Sequence, residues 1–517
     1  MRYLIAVDVG TSSTKTALRD ETGCVLAEAA AEYQVQRPYP AWAEMDVEVW
    51  WRAVCVTVRQ VVEQAGIDPH AVRGIGVDGV SWTLIPVDRQ LRPLCQAMIW
   101  LDRRAEAQAA WLRAQPEAEE WVRLSANPLD PAYVTPKLLW LREHQPEIFN
   151  AADQFLNSTG FIVARMTGAL TCDYTQAYAY HFYDMQHACW DARAAQSLGI
   201  PPEKLPALVA PLDIAGTLTA SAAAQMGLVA GIPVIAGGLD AAVGALGAGV
   251  VRLGQTVDQG GQAGGMLMSV DRVIVEPLLI FGHHVLPGQY LLQSGTVGGG
   301  TLGWFRDVLG QVEVEAARLL DTSAYDLMSA EVEKTPPGAH GLIFLPYMAG
   351  ERTPLWDSNA RGVFFGLSYK TTRGDILRSV MEGCAFAVYH NLRIAEAHGG
   401  TVSEWLGDGG AARSAAWCQI KADITGRPFI VARQSDGSEG GHTLGLFVMV
   451  AQATGLVRLD ELPEFVENLL PNRKIYQPSA ANHAMYAELF EVYQGLSEKL
   501  RGDFAALARV AGKYHLE

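Results

Sequence analysis

Three glycine-rich turns, each directly after an apolar stretch, are the segments of this sequence best suited to chemistry. They read DVGTSSTK (8–15), GGLDAAVGALG (237–247) and LGDGGAARS (406–414). Residues 3–7 and 16–18 predict strands on either side of the first turn, so it is a hairpin tip, unlike a Walker loop or a Rossmann turn. The Gly10 backbone and the hydroxyls of Thr11 and Ser12 can grip a phosphate there, although an ordinary glycine hairpin explains the residues equally well.

The second turn contains an acidic residue, Asp240, shortly after Gly237 and Gly238. The apolar run at 233–236 predicts a strand and the small residues that follow predict a helix. Asp240 then stands at the carboxyl end of a strand, where α/β sheets place their ligands. A carboxylate at this point is either the N-cap of the helix or a catalytic group. The two other turns suited to phosphate favour the catalytic interpretation.

The third turn ends in residues that carry almost no side chain, Gly409, Gly410 and Ala411, before a predicted helix at 414–425. A flat ring or a phosphate can therefore approach the backbone near the positive end of that helix. The segment SGTVGGGTLGWFR (294–306) has the same order of strand, glycines and helix. Close packing of a helix on a strand is the competing explanation for both segments.

The predicted elements around these turns form two similar α/β halves. In the first half, a three-stranded meander precedes a helix at 47–65 capped by Asp46, strands at 72–77 and 83–87, and a helix at 102–113. After residue 249, a second hairpin (256–258 and 266–270), strands at 290–293 and 343–345, and helices at 375–398 and 414–425 repeat this plan. Such a duplication predicts a ligand site in a cleft between two lobes.

The composition indicates the number of domains and excludes some classes of partner. A chain of 517 residues exceeds one core and predicts at least two domains, and 49% hydrophobic content is typical of a well-buried chain. A net charge of −16 argues against nucleic acid or an anionic membrane as a partner. Seven scattered cysteines, and an amino terminus that enters a strand directly, predict a cytoplasmic location. Residues 227–251 resemble a membrane span, but their glycines favour a buried strand and a helix.

Together these segments resemble the FGGY family of carbohydrate kinases, which share the fold of actin, Hsp70 and hexokinase. The resemblance covers most of the chain. Besides the turns, it is carried by the tryptophan-rich segment 41–51, IWLDRRA (99–105), TPKLLWL (135–141), YMAGERTP (347–354), GVFFGLSYKTTRGDILRSVMEG (362–383) and the extension of the third turn to residue 428. The resemblance implies an α/β protein of two actin-like (ribonuclease H-like) domains with the active site in the cleft between them. Residues 1–248 would carry the sugar site and the catalytic base, and residues 249–517 the nucleotide site.

The resemblance also implies a role for each motif residue. Asp240 would be the general base that takes the proton from a sugar hydroxyl, and Asp8 would hold Mg²⁺. ATP would be bound by Thr11, Ser12, Lys15, Gln262, Gly299, Gly303, Gly410, Ala411 and Ser414. The sugar would be bound by Ser81, Trp82, Asp102 and Asp240.

Two departures from the family pattern bear on the substrate. Relatives carry Gly-Thr in the second phosphate turn, where this chain has DQGGQAGG (258–265) with Gln262. Xylulokinases have Met-His, and glycerol kinases Arg-Glu, where Ser81 and Trp82 stand here. The resemblance implies ATP-dependent phosphorylation of a sugar hydroxyl, with a ketopentose such as xylulose, or a related sugar or polyol, as acceptor. The alternative is a nucleotide-binding regulatory protein or ATPase of the same fold without sugar kinase activity. The sequence leaves open whether the protein forms a homodimer.

Overall fold

The first of two large mixed β-sheets lies in the first half of the chain in the computed structural model, which describes residues 2–514. Its strands are β1 Tyr3–Val9, β2 Ser13–Asp20, β3 Val25–Glu32, β4 Val72–Gly79, β5 Ile214–Thr217, β6 Pro233–Ile235 and β7 Gly238–Leu239. Their order is β5-β6-β4-β1-β2-β3, and β7 also pairs with β4. Strand β1 is antiparallel to β2 and parallel to β4, so β1, β4 and β7 end at the same edge.

The second sheet repeats this plan. Its strands are β8 Gln255–Gln259, β9 Met266–Val270, β10 Ile280–His283, β11 Tyr290–Gln293, β12 Glu404–Asp408, β13 Phe429–Arg433 and β14 Asn472–Tyr476, in the order β10-β11-β9-β8-β12-β13-β14. Strand β8 is antiparallel to β9 and parallel to β12, as β1 is to β2 and β4. The predicted duplication is therefore confirmed.

Helices cover both sheets. Ten of them are labelled here, namely α1 Val47–Ala65, α2 Val134–His144, α3 Ser158–Thr167, α4 Asp240–Gly247, α5 Gly299–Leu309, α6 Ala324–Lys334, α7 Arg373–Ala397, α8 Ala415–Thr425, α9 Gly441–Ala453 and α10 Ala480–Lys499. Others span Glu106–Arg113, Ala118–Ser125, Pro146–Ala151, Tyr174–Ala177, Ala192–Ser197, Ala220–Met226, Gln311–Leu320, Leu462–Leu469 and Arg501–Tyr514. Short two-stranded ladders join Glu44–Met45 to Ala97–Met98, Ile85–Val87 to Gln154–Leu156, Thr171–Asp173 to Ala207–Val209, Tyr183–Asp184 to Cys189–Trp190, Ala263–Gly264 to Thr296–Val297, and Ile343–Leu345 to Val363–Phe365.

Helix α9 links the two halves of the chain. Although it follows β13 of the second sheet, it packs against β1 and β4 of the first sheet and against α4. Its apolar side chains, among them Leu444, Leu446 and Val450, are fully buried in this contact. The burial drives α9 into a position where its first turn reaches the carboxyl edge of the first sheet.

Local sequence signals predicted several elements well. Helix α1 spans 47–65 as predicted, and the Asp46 carboxylate accepts the Glu48 backbone N–H at its start. The predicted strands 266–270, 290–293 and 343–345 are also confirmed. The helix predicted over 102–113 begins instead at Glu106. The reason is that the Asp102 carboxylate binds the backbone N–H and guanidinium of Arg104, which holds these residues in a turn.

The apolar segment 227–251 does not form one long helix. It contains β6, β7 and the eight-residue helix α4. None of the helices within residues 2–514 combines the length and the apolar character needed to cross a membrane.

Candidate active site

Three carboxylates meet at the carboxyl edge of the first sheet. Asp8 and Asp78 occupy paired positions on β1 and β4, and Asp240 follows β7 as the first residue of α4. Asp78 is fully buried, and neither of its carboxylate oxygens has a hydrogen-bond partner. His442, in the first turn of α9, brings its Nδ1 to 3.3 Å from Asp8 Oδ2. The potential ligand atoms of Asp8, Asp78 and His442 all lie within 4.8 Å of one another, and these three residues are called the acidic cluster here.

The close spacing of these groups shifts their pKa values. Burial raises the pKa of Asp78 well above its ordinary value, and the Asp8 carboxylate adds to this shift. Burial opposes ionisation of Asp8, but His442 and Lys15 outweigh it and lower the pKa of Asp8. Burial alone would lower the pKa of His442, whereas the surrounding carboxylates raise it to about 10. Two buried carboxyl groups therefore stand beside one imidazole, and their oxygens offer ligand positions to a cation.

Asp240 is not the N-cap of α4, because Leu239 occupies that position. One oxygen of Asp240, Oδ1, accepts the backbone N–H of Ala241 at 2.8 Å and the hydroxyl of Ser81 at 3.4 Å. Burial is the main cause that raises the pKa of Asp240. Both hydrogen-bond donors are uncharged, so the carboxylate keeps the basicity that proton acceptance requires.

The hairpin tip between β1 and β2 is held by aromatic side chains. The indole N–H of Trp100 donates to the Thr11 hydroxyl at 3.0 Å, and the Tyr33 hydroxyl donates to the Gly10 carbonyl at 2.8 Å. Ser12 and Lys15 are exposed, and Lys15 is the residue of β2 paired with Asp8. The tip therefore presents hydroxyls and one ammonium group beside the acidic cluster.

A glycine-rich cavity of about 500 Å³ lies between the turns of the second sheet and helices α5, α6 and α8. Its walls are formed by Gly260, Gly261, Gln262, Gly299, Leu302, Ser323, Tyr325, Asp326, Ser329, Gly410, Ala411, Arg413, Ser414 and Trp417. The structure thus brings together the predicted residues Gln262, Gly299, Gly410, Ala411 and Ser414. Gly303 lies one turn further along α5 and is not in the wall.

Close backbone contact shapes this glycine-rich cavity. The Ala411 N–H donates to the Gly260 carbonyl at 3.0 Å, and a side chain at Gly260 would overlap Ala411. Gly409 has a φ of 76°, a conformation that glycine adopts without strain. Ser414 caps α8, and its hydroxyl accepts a hydrogen bond from Ser329 at 2.9 Å. Glycine is required here by packing and by backbone conformation, and the result is a wall without side chains.

A second cavity, of about 470 Å³, lies between the two halves of the chain and is called the interlobe cavity here. The first half contributes Trp100, Leu101, Arg103 and Asp130, and the second half contributes Gln262, Ala263, Thr296, Val297, Gly300, Thr301, Trp304, Met348, Ala349, Gly350, Glu351, Arg352, Trp356, Asp357 and Ser358. Gln262 belongs to the walls of both cavities. The Arg352 guanidinium lies 5.0 Å from the centroid of the Trp100 ring. Burial raises the pKa of the adjacent Glu351 to about 8.

The residues predicted to bind the sugar are in different environments. Ser81 contacts Asp240, as described above. Trp82 is 3% exposed and stacks on Tyr133 with ring centroids 4.4 Å apart. Its φ is 49°, and its carbonyl accepts the Lys137 ammonium at 2.7 Å. Trp82 is therefore mostly a core residue whose backbone is fixed in a conformation rare for a bulky side chain.

The structure does not bring Asp102 to either cavity. Its side chain is fully buried, Oδ2 accepts the backbone N–H of Ala43 at 2.7 Å, and both oxygens bind the Arg104 guanidinium. Arg104 in turn lies 3.5 Å from the centroid of the Trp42 ring. With its carboxylate occupied in this way, Asp102 stabilises the loop and does not face the cleft.

Sequence reasoning missed three residues of this region. Asp78 repeats the arrangement of Asp8, a carboxylate near the end of an apolar strand before glycine, and this repetition was a usable signal. His442 follows two glycines at a helix start, a pattern that does not point to a carboxylate partner. Lys137 lies in the segment TPKLLWL, in which the resemblance implies no role for the lysine. Its ammonium donates to the carbonyls of Trp82 and Ile99, and burial lowers its pKa to about 7.

This geometry agrees with what is found among known proteins. The N-terminal domain of the FGGY family of carbohydrate kinases matches residues 3–247, and the C-terminal domain of that family matches residues 276–445. The chain is 30% identical to a xylulose kinase of Escherichia coli strain K12, over 96% of this chain and 99% of that protein. It is 26% identical to a gluconokinase of Bacillus subtilis strain 168, over 98% of each.

Solved structures give the same result. A ligand-bound xylulose kinase from Lactobacillus acidophilus has a TM-score of 0.89 and 25% identity, covering 98% of this chain and all of that chain. The fold and site therefore define a two-domain sugar phosphotransferase. The chain belongs to the FGGY family of carbohydrate kinases, whose members use ATP.

Proposed function

We propose that this protein transfers the terminal phosphoryl group of ATP to a hydroxyl of a ketopentose such as xylulose, with Asp240 as the general base. The observation that carries the proposal is the environment of Asp240, which has uncharged hydrogen-bond donors and a raised pKa at the carboxyl end of β7. Relatives that are named xylulose kinases support the choice of acceptor.

In the proposed reaction, the sugar hydroxyl attacks the terminal phosphorus of ATP while Asp240 accepts the hydroxyl proton on a carboxylate oxygen. The bond from phosphorus to the bridging oxygen of ADP breaks, and the phosphoryl group moves to the sugar oxygen. Phosphoryl transfer depends mainly on positioning and on neutralising charge. Ser81 would orient the Asp240 carboxylate through its hydroxyl, and Thr11, Ser12 and Lys15 would donate to phosphate oxygens.

Mg²⁺ fits the acidic cluster. A buried carboxylate normally has hydrogen-bond partners, so the unpartnered oxygens of Asp78 beside Asp8 are the donor set that a hard divalent cation prefers. We propose that Asp8 and Asp78 would hold the ion. When bound there, it would supply positive charge close to the phosphate oxygens.

Each half of the chain would supply a different part of the active site. We propose a domain of residues 1–248 that supplies the base and the two carboxylates of the acidic cluster, and a domain of residues 249–517 that binds the nucleotide. The glycine-rich cavity, with Gly299, Gly410, Ala411 and Ser414, would take the nucleotide because its walls allow a flat ring to lie against the backbone. The interlobe cavity, which shares Gln262 with it, would take the sugar, and the reacting hydroxyl would extend from this cavity toward Asp240, which is not part of its wall.

Gln262 lies in the walls of both cavities, so its variants test whether its side chain contacts the transferred phosphate. If its amide reaches the transferred phosphate, Gln262→Ala should lower kcat about tenfold or more, because an amide donor near developing charge is lost. Gln262→Thr, which restores a hydroxyl donor, should keep most of the activity. Steady-state ADP release at saturating ATP and sugar measures both variants. Unchanged kcat in Gln262→Ala would show that this side chain does not contact the phosphate.

A sugar acid is a second candidate acceptor. The Arg352 guanidinium lies in the wall of the interlobe cavity, stacked on Trp100, where it would bind the carboxylate of an aldonate. The gluconokinase relatives support this candidate. Initial rates of ADP release with D-xylulose, D-ribulose, D-gluconate and glycerol decide between them. If kcat/KM is highest with a ketopentose, the main proposal is supported. If it is highest with gluconate, the sugar-acid proposal is supported. A rate of ADP release without any acceptor that equals the rates with acceptors contradicts both proposals.

A further inference from the structure

His442 is the one group of the acidic cluster that comes from the second half of the chain. Its Nδ1 lies 3.3 Å from Asp8 Oδ2, and its side chain is 38% exposed, so it can be reached from the cleft. Asp78 is fully buried and both of its oxygens lack a partner. The potential ligand atoms of the three residues lie within 4.8 Å of one another.

Two arrangements explain why His442 stands here. In the first, a protonated imidazole pairs with Asp8, and the two oxygens of Asp78 have no donor and only the Asp8 carboxylate, itself an acceptor, beside them. In the second, a neutral imidazole and both carboxylates surround one cation, so every buried polar group is satisfied. Unpartnered buried carboxylate oxygens are uncommon in folded proteins, which favours the second arrangement.

The spacing also fits a shared ion. Two ligand atoms that each lie about 2.1 Å from one octahedral ion, at a right angle, are about 3 Å apart. The observed separation of His442 Nδ1 and Asp8 Oδ2 is 3.3 Å. We propose that His442 binds a divalent cation together with Asp8 and Asp78, and that its imidazole gives this site a preference for Mn²⁺ over Mg²⁺.

Ligand chemistry is the reason for that preference. Mg²⁺ is bound almost entirely by oxygen, whereas imidazole is a good ligand for transition ions, so exchanging an oxygen ligand for His442 favours Mn²⁺. The inference rests on the proposed kinase function only for the role of the ion. The binding test below uses neither ATP nor sugar, so its failure is distinguishable from a failure of the kinase proposal.

Electron paramagnetic resonance of the full-length protein with Mn²⁺ alone tests the proposal. We expect one bound Mn²⁺ whose electron spin-echo modulation shows coupling to ¹⁴N and changes when histidine is labelled with ¹⁵N, a readout that needs no substitution. His442→Ala should abolish the nitrogen coupling and weaken Mn²⁺ binding by at least about tenfold, with a smaller loss for Mg²⁺. His398→Ala is the matched control, because it removes an imidazole that pairs with a carboxylate, Glu276, outside the cluster.

The outcomes are distinct. Nitrogen coupling in the parent protein that is lost in His442→Ala and kept in His398→Ala supports the proposal. Bound Mn²⁺ without nitrogen coupling overturns it, and so does equal Mn²⁺ affinity in the parent protein and His442→Ala. No Mn²⁺ binding in the absence of nucleotide also overturns it, since His442 would then act as the cation that neutralises Asp8.

Discussion

Asp240→Asn is expected to lower kcat by about 10²–10⁴-fold, the usual contribution of a positioned general base. Asparagine keeps the shape of the side chain and can still accept the Ala241 N–H, but its amide cannot take a proton. We therefore expect a folded protein with ATP affinity close to that of the parent. Steady-state ADP release with saturating sugar measures kcat, and a thermal melt confirms the fold.

The pH dependence of activity is a second measurement of the role of Asp240. Burial raises the pKa of Asp240, and only the deprotonated carboxylate can accept the hydroxyl proton. Activity, as kcat/KM, should therefore rise with pH on the acid side, through a pKa above the ordinary carboxyl range, and then level off. Asp240→Asn should lack this rise.

Ser81→Ala is the control for the Asp240 prediction. Its hydroxyl bonds to the Asp240 carboxylate and stabilises the charged form, so its removal should shift the acid limb to higher pH. The loss of kcat should be much smaller than in Asp240→Asn. Near-parent turnover of a correctly folded Asp240→Asn, with the acid limb unchanged, would contradict the assignment of Asp240 as the base.

Trp82→Ala is expected to reduce the free energy of unfolding by about 3–5 kcal/mol, as is typical when a large buried aromatic side chain is removed. Trp82 is 3% exposed and stacks on Tyr133, so alanine leaves a cavity next to the segment that carries Ser81. We also expect the KM for the sugar to rise more than the KM for ATP, because Ser81 contacts Asp240. Denaturant unfolding and substrate kinetics measure the two effects.

Trp82→Phe keeps most of the packing that Trp82→Ala removes. The buried indole N–H of Trp82 has no hydrogen-bond partner, so phenylalanine keeps the stacking on Tyr133 without losing a hydrogen bond, and its loss of stability should be smaller than that of Trp82→Ala. If Trp82→Ala is as stable as the parent and only the sugar KM changes, then Trp82 stands in the sugar site and not in the core.

The sequence predicted those parts of the molecule that depend on local signals. The Asp46 cap and the apolar spacing of α1 determine that helix within its own residues, and β9 and β11 follow from short apolar runs between turns. The position of Asp240 at a strand end also follows from neighbouring residues. Each of these features needs only the physics of a few consecutive side chains.

Features that depend on distant contacts were not predictable in this way. Helix α9 follows the second sheet in the chain but packs on β1 and β4 of the first sheet, and this packing brings His442 to Asp8. Asp102 was expected to line the sugar site, but its carboxylate accepts the backbone N–H of Ala43, which is distant in the sequence, and also binds the Arg104 guanidinium. Nothing in the spacing of the residues reveals that Arg104 turns back and lies on Trp42.

Identifying the phosphorylated product is the most direct test of the central claim, that a sugar hydroxyl activated by Asp240 receives the phosphoryl group of ATP. Phosphorus NMR of the parent protein with ATP, a divalent cation and D-xylulose follows ADP, inorganic phosphate and phosphate esters together. With the parent protein, we expect a sugar phosphate monoester and ADP to form in equal amounts. Without sugar, neither product should form. With Asp240→Asn, both should form much more slowly than with the parent protein. Equal amounts of ADP and inorganic phosphate, formed as fast without any sugar as with it, would contradict the claim and support the ATPase alternative.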